Sequence, residues 1–447
     1  MSDGLFARAA ALSRFMTDTR RALHMIPEQS FREADTRRYL LSLFSDTECE
    51  KRELSCGSVA LFFDFGKENT AAFRCELDAL PVDELNESAY KSNRKGFMHA
   101  CGHDGHMAVC AALCRVLGSL SEEEKSKAKR NALVLFQSGE ESAGGAQAVV
   151  DSGILAETRT DRIFALHLWP KLKKGKVYST AGVCLAQNAE VDITISCPQS
   201  HAADNGADSL AEAARLLLSL EKEVSETGSA KSPCLLKFGR LTGCEICRTS
   251  GLAAEIRSIE RALKGVFSCN ERPYGARNVI GGGFKLEGTL RAVEPRAFCR
   301  AKEKINAAVC DSRDKGFAVF CEIREGSGAV CNCARLFALA QEAANVGSLP
   351  APFLQAEDFS AYGKVCPSLY MFLGVGEVPP LHSPYFDFDE SVLEKGLETF
   401  LRLFFSYAPD VKFPCGGSIR TAFCKYRRAP SARRACPAPV FPFRLLL

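Results

Sequence analysis

The sequence predicts an α/β protein, with a layered, mostly parallel-sheet domain interrupted by a smaller inserted α+β domain of β-α-β-β-α-β order. Three observations predict it. A chain of 447 residues is longer than one hydrophobic core usually serves. Apolar runs of strand length alternate with helix-period segments in both the first and the last part of the chain. Between them, from about Gln187, the strands turn half-exposed and alternating, as strands with one wet face do. The expected divisions are 1–186 for the first part of the larger domain, 187–327 for the insertion, 328–410 for the return, and a tail over 411–447.

Residues 6–45 have helical spacing with a break at Pro27. SVALFFDF (58–65) and TAAFRCELDAL (70–80) read as strands, and MAVCAALCRVLGSL (107–120) as a helix. NALVLFQ (131–137) reads as a buried strand, AGGAQAVVDSGIL (143–155) as a helix and DRIFALHLW (161–169) as a strand. In the insertion, AEVDITISC (189–197) is followed by the helix SLAEAARLLLSLEKEV (209–224). LLKFGRLTG and FKLEGTLRAV supply two further strands, then come a helix over 294–311 and the strand FAVFCEIREG (317–326). Beyond 329 a helix, the strand SLYMFLGVG and a last helix at 389–406 complete the larger domain.

Composition narrows the function classes. With 46% hydrophobic and 25% charged residues the chain has the balance of a globular protein, which excludes global disorder. Its N-terminal segment reads as an amphipathic helix, not a signal peptide, and no apolar stretch has membrane-spanning length, so a cytoplasmic protein without a membrane partner is expected. The 21 cysteines lack the regular spacing of a disulfide framework. Two close pairs, Cys244 with Cys247 and Cys331 with Cys333, have no histidine nearby to complete a zinc site. The net charge is +3, but eight Lys and Arg follow Asp410 with no acidic residue among them. Subtracting those eight leaves −5 for the rest. A mildly acidic body gives no reason to expect a nucleic-acid partner, and the proline-containing basic tail reads as a poorly ordered appendage.

The seven histidines carry the chemical signal. MHACGHDGH places His99, Cys101, His103 and His106 within eight positions just before a helix, and thiolate and imidazole both suit zinc and its first-row neighbours. Asp78 ends one expected strand, Glu140 and Glu141 follow a second, His167 closes a third, and His382 lies in the loop after a fourth. In an open parallel sheet the C-terminal edge is where such loops converge. More donors than one four-coordinate ion needs point to two ions, and a glutamate beside a ligand can take a proton from the water between them.

These stretches, with RRALHMIPEQSFRE (20–33), ELDALPV (76–82), LFQSGEESAGGA (135–146), AEDFS (356–360) and LHSPYFDFDE (381–390), resemble the M20 metallopeptidase family over roughly residues 10–408. The likeness is strongest to its amidohydrolases, such as hippurate hydrolase, N-acyl-amino-acid amidohydrolases and auxin-conjugate hydrolases. The resemblance implies a pair of divalent ions, zinc or manganese with cobalt or nickel as further candidates, held by Cys101, His103, Glu141, His167 and His382. It implies Glu140 as general base, Asp78 as a carboxylate orienting an imidazole, and His201 as an oxyanion-stabilising group that reaches a neighbouring subunit's site in a homodimer joined through the smaller domain. Asn278 and Arg291 match polar residues of that domain, one of which is expected to meet the substrate. The activity implied is hydrolysis of the amide bond of an N-acyl amino acid, with dipeptide hydrolysis and an inactive ligand-binding relative as alternatives. QSGEE, the glycines after NVI and the serine before His201 depart from the common pattern, which bears on substrate fit and lid motion. A thiolate at Cys101 is also expected to make metal-stripped protein sensitive to oxidation.

Overall fold

The computed structural model describes residues 3–142, 144–204, 206–244 and 278–406. The tail over 411–447 and Cys247 of the first cysteine pair lie outside these residues. The first strands in the chain, all in the larger sheet, are β1 (Glu50–Glu53), β2 (Val59–Phe63), β3 (Thr70–Glu76), β4 (Asn131–Gln137), β5 (Thr160–Pro170) and β6 (Val177–Ser179). Further along come β7 (Gly182–Leu185), β8 (Gln187–His201), β9 (Cys234–Cys244), β10 (Val279–Ala292), β11 (Ala318–Glu325), β12 (Val330–Asn332), β13 (Gly347–Ser348) and β14 (Ser368–Gly376). The eight strands of the large sheet run in the order β1-β2-β4-β3-β5-β14-β6-β13. Its centre, β4-β3-β5-β14, is parallel throughout. The reason is in the side chains: β3 and β4 are buried at every position, as strands covered on both faces must be. β1, with the sequence EKRE, is charged and mostly exposed, a composition that suits a sheet edge.

The helix His103–Gly118 is almost wholly buried against this sheet, which explains its weakly amphipathic, nearly all-apolar sequence. The expected single helix over 143–155 is two, Gly145–Asp151 and Ile154–Glu157, because Gly153 turns the chain at φ +81°. The first expected helical segment is likewise three helices, Asp3–Ala10, Ser13–His24 and Ala34–Leu43.

The smaller sheet has the order β11-β8-β10-β9 and is antiparallel at each pairing. Helices Ser209–Ser225 and Pro295–Asp314 cover one face, so that Val191, Ile193 and Ile195 of β8 meet Leu216, Leu220 and Ile305 in a second core. Among the described residues the order β8, helix, β9, β10, helix, β11 is the one the sequence predicts. Just outside the insertion, β7 and β12 pair antiparallel, with Leu185 opposite Val330.

Two buried ionic networks tie distant segments together. Arg20, with a side chain only 1% exposed, donates to Asp104 at 2.8 Å, Asp387 at 2.7 Å and Glu390 at 3.2 Å. His24 meets the same Asp104 at 2.8 Å and Glu84 at 3.3 Å. Under the other end of the sheet, Arg74 pairs with Glu76, with Glu357 at 2.9 Å and with Asp358 at 2.8 Å.

Candidate metal centre

The four adjacent parallel strands β4, β3, β5 and β14 deliver the predicted donors to one place. Asp78 follows β3, Glu140 and Glu141 sit in the turn after β4, and His382 follows β14. His167 is not the last residue of its strand, since β5 continues to Pro170. Cys101 enters from the irregular segment before the buried helix and His103 from the helix's first position, across a turn at Gly102 with φ +82°. A side chain at Gly102 would press on Leu168 at 3.2 Å, so both the conformation and the close approach require glycine there.

Three overlapping groups result: Cys101 with His103 and His167, Cys101 with Glu141 and His382, and His103 with Glu140 and Glu141. Within each, the donor atoms lie within 4.8 Å of one another. Sharing of Cys101, His103 and Glu141 between groups is the arrangement two neighbouring cations require, since one tetrahedral ion uses four donors. Cys101 Sγ lies 3.5 Å from His167 Nε2, and Glu141 Oε1 lies 3.9 Å from His103 Nε2 and 3.7 Å from His382 Nε2.

Hydrogen bonding fixes which imidazole nitrogen faces inward. His103 Nδ1 donates to the Asp78 carbonyl oxygen at 2.8 Å, and His167 Nδ1 donates to the Leu168 carbonyl at 2.7 Å, leaving both Nε2 atoms with a lone pair. His103 Nε2, Glu141 Oε1 and Asp78 Oδ1 are all buried without a hydrogen-bond partner. Buried polar atoms of this kind are expensive unless something satisfies them. A sulfur, nitrogen and oxygen donor set with orphaned inward lone pairs fits divalent transition ions.

Asp78 departs from its expected part in one respect. The oxygen that takes the His103 proton is its backbone carbonyl, while the carboxylate lies 3.7 Å away and instead accepts from Ser30 Oγ at 2.6 Å and the Glu141 N–H at 2.9 Å. It therefore positions both the histidine and the glutamate turn. His106, from the same motif, is closed to metal: Leu168 N–H donates to its Nε2 at 2.9 Å, and its Nδ1 donates to Glu76 at 2.7 Å. His99 is buried with both ring nitrogens unpartnered, and burial pushes its pKa down to about 3.

The remaining predicted residues lie elsewhere. His201 and Asn278 are exposed neighbours at one end of β8 and β10, where the Ala202 N–H donates to the Asn278 carbonyl at 2.9 Å. Among the described residues no hydrogen bond or ion pair joins them to the donor cluster. Arg291, near the other end of β10, is half-buried and donates to the Leu354 carbonyl at 3.2 Å, with burial depressing its proton affinity. Sequence reasoning also missed Glu357 and Asp358, which form a further acidic group with Glu140 over Arg74. AEDFS offered them as adjacent acids, but nothing in sequence placed them beneath the glutamate turn.

Electrostatics in the cluster reflect crowded acids. Burial, then Glu357 and Glu141, hold the Glu140 carboxyl well above its ordinary range. Burial also raises Glu141, against the pull of His103 and His382. For His103, burial opposes protonation, but Glu76 and Glu141 outweigh it and raise the pKa. Burial, reinforced by Glu141 and Glu140, pushes the Cys101 thiol well above 9, so the metal-free residue is a thiol. That direction runs against the expectation of an oxidation-sensitive thiolate, because reactivity follows the deprotonated fraction.

Fold and donor cluster together define a metal-dependent hydrolase of amidohydrolase type. The sequence profile of peptidase family M20/M25/M40 matches residues 72–406, and the chain belongs to that family. It is 30% identical over 295 residues to N-acetyldiaminopimelate deacetylase of Priestia megaterium, covering 65% of this chain and 69% of that protein. The deacetylase of the same name from Bacillus subtilis is 26% identical over 402 residues, covering 87% of this chain and 97% of the relative. In fold it is similar to the Bacillus subtilis YXEP protein, a dinuclear metal binding peptidase from the M20 family, with a TM-score of 0.70, 22% identity and coverage of 89% and 98% of the two chains. Among the described residues no helix is long and apolar enough to cross a membrane.

Proposed function

We propose that this protein hydrolyses the amide bond of N-acyl amino acids, with Cys101, His103, Glu141, His167 and His382 holding two divalent ions, zinc or manganese in the first instance. The observation that carries the reading is the convergence of these donors with His103 Nε2 and Glu141 Oε1 buried and unsatisfied. Bound there, the ions would supply Lewis acidity toward a carbonyl oxygen and toward water.

The chain's own groups do the rest. Glu140 stands beside a ligand in the same turn and takes the proton of the attacking water at a carboxylate oxygen, later passing it to the leaving nitrogen. Burial and the neighbouring acids Glu357 and Glu141 raise its proton affinity, which favours the proton-carrying half of this task. Asp78 keeps His103 in the required tautomer and holds the backbone of Glu141 in place. The exposed position of His201 suits a group that reaches the site of a second copy, in a homodimer formed through the smaller sheet. Arg291, whose described polar partner is a backbone carbonyl, keeps guanidinium donors free for a substrate carboxylate, and Asn278 is a further polar contact candidate. The names of the deacetylase relatives support the acyl–amino acid class over other amides.

The test is turnover by metal-loaded protein on N-acetyl, N-benzoyl and aminobenzoyl amino acids and a few dipeptides, with Glu140→Gln alongside. Turnover of acylated amino acids is expected, reduced at least about 10³-fold in Glu140→Gln while both ions stay bound. Cleavage confined to dipeptides, or a Glu140→Gln protein as active as the parent, would overturn the reading.

A further inference from the structure

Phe31 is held at φ +63°, in the left-handed region that a bulky side chain rarely adopts. Such a conformation persists only where its surroundings over-determine it, and here they do. The Glu33 carboxylate accepts the Phe31 N–H at 2.8 Å and the Gly139 N–H at 3.0 Å on one oxygen, and the Ser138 hydroxyl at 2.6 Å on the other. On the opposite side Ser30 donates to Asp78 at 2.6 Å, and Gln29 bridges to Ala79. The short segment 29–31 is thus stitched both to the Asp78 turn and to the turn that carries Glu140.

The ring is the product of this stitching. It lies flat enough on Gly139 that a Cβ there would come within 2.3 Å of Phe31 Cζ, so the glycine is required by the ring as well as by its own φ of +73°. Yet the residue remains 49% exposed. Covering Gly139 alone needs neither a strained backbone nor an open aromatic face. One residue from the Glu140 turn, an aromatic surface is held out at a fixed angle.

We propose that Phe31 is a specificity-determining wall of the acyl pocket, its open face packing against the acyl group of the substrate. This rests on the amide-hydrolysis reading above. The amino-acid end is assigned to Arg291 on β10 of the smaller sheet, whereas Phe31 packs on the glutamate turn of the larger one, which leaves the acyl end for the ring. A flat apolar acyl group gains from stacking on it, while acetyl is too small to do so.

The experiment compares full-length metal-loaded parent, Phe31→Ala and Phe31→Tyr on N-benzoyl and N-acetyl derivatives of one amino acid, and on two amino acids sharing one acyl group. The benzoyl-to-acetyl ratio of kcat/KM is expected to fall about tenfold in Phe31→Ala, chiefly through KM, and to recover in Phe31→Tyr. The ratio between amino acids should not move. An equal loss for both acyl groups would reduce Phe31 to a support for the turn, and a shift in the amino-acid ratio alone would place the ring at the other end. Either overturns the inference. Calorimetric binding of benzoate against acetate to the same proteins reads the contact without turnover: unchanged benzoate affinity in Phe31→Ala overturns it too. A parent with two ions bound that cleaves none of the amides, yet loses benzoate affinity in Phe31→Ala, would sink the amide reading and leave the aromatic contact standing.

Discussion

Replacing Arg20 by leucine should destabilise the protein by far more than a surface ion pair would. The guanidinium is 1% exposed and faces three carboxylates, but these are not equivalent. Asp387, whose side chain is 33% exposed, can be rehydrated when the arginine is gone, so its share is small. Asp104 is wholly buried and cannot. It would keep His24 and the Gly105 N–H but lose its main counter-charge. Breaking a buried pair from one side costs about 3–5 kcal/mol, and the stacked faces of Tyr90 and Phe388, 4.7 and 4.6 Å from the guanidinium carbon, lose their cation as well. With an unfolding entropy of about 2.1 cal/mol/K per residue over a unit of about 400 residues, that cost lowers Tm by about 4–6 °C. Calorimetric melting of Arg20→Leu, Asp104→Asn and the double variant measures it. Because the cost is a stranded charge, the double variant should lose about 1–3 kcal/mol less than the two single losses combined. A Tm within about 1 °C of the parent for Arg20→Leu, or strict additivity in the double variant, would refute this account of the network.

Two further outcomes follow from the titratable groups. His24, facing Asp104, Glu84, Arg20 and Tyr90, has its pKa raised to about 9, its hydrogen bond to Asp104 overcoming burial. A folded-state pKa above the unfolded value of about 6.5 adds stability that is complete below 6.5 and is lost as pH rises through 9, about 3 kcal/mol in all. Melting between pH 6 and 10 should show that fall in the parent and not in His24→Gln; parallel profiles would contradict it. Brief alkylation of metal-free protein, read by peptide mass spectrometry, should label the exposed Cys299 and Cys310 well before the buried Cys101, whose thiol burial holds above its ordinary range. Early labelling of Cys101 would restore the thiolate expectation.

Elements with a strong period or a long apolar run were legible to within a few residues. NALVLFQ and SLYMFLGVG are β4 and β14 to the residue, because strands buried on both faces leave an unbroken apolar signature. The short strands β1, β6, β7, β12 and β13 left no such trace, since two to four residues are too few to show a period or an apolar run. The site was legible as a set of residue types at strand ends and illegible as a set of partners. His103 and His106 look alike in GHDGH, yet one keeps a free Nε2 and the other spends both nitrogens on Glu76 and Leu168. That distinction depends on β5 passing beside the helix, a contact between residues far apart in the chain. Arg74 was hidden for the same reason: a lone arginine in an apolar strand reveals its charge but not the acids that the fold brings to it.

The pairing of Leu185 with Val330 also bears on how the chain finds its fold. β5 and β14 are neighbours in the sheet, but the segment between them is about 200 residues long, and closing so large a loop is slow. Once the inserted sheet has formed and brought β7 against β12, the effective loop shrinks to about 50 residues, which lowers the entropy of closure by about 1 kcal/mol. The insertion then acts as a clasp during folding, and the last parallel strand completes the sheet across a gap that the earlier step has already shortened.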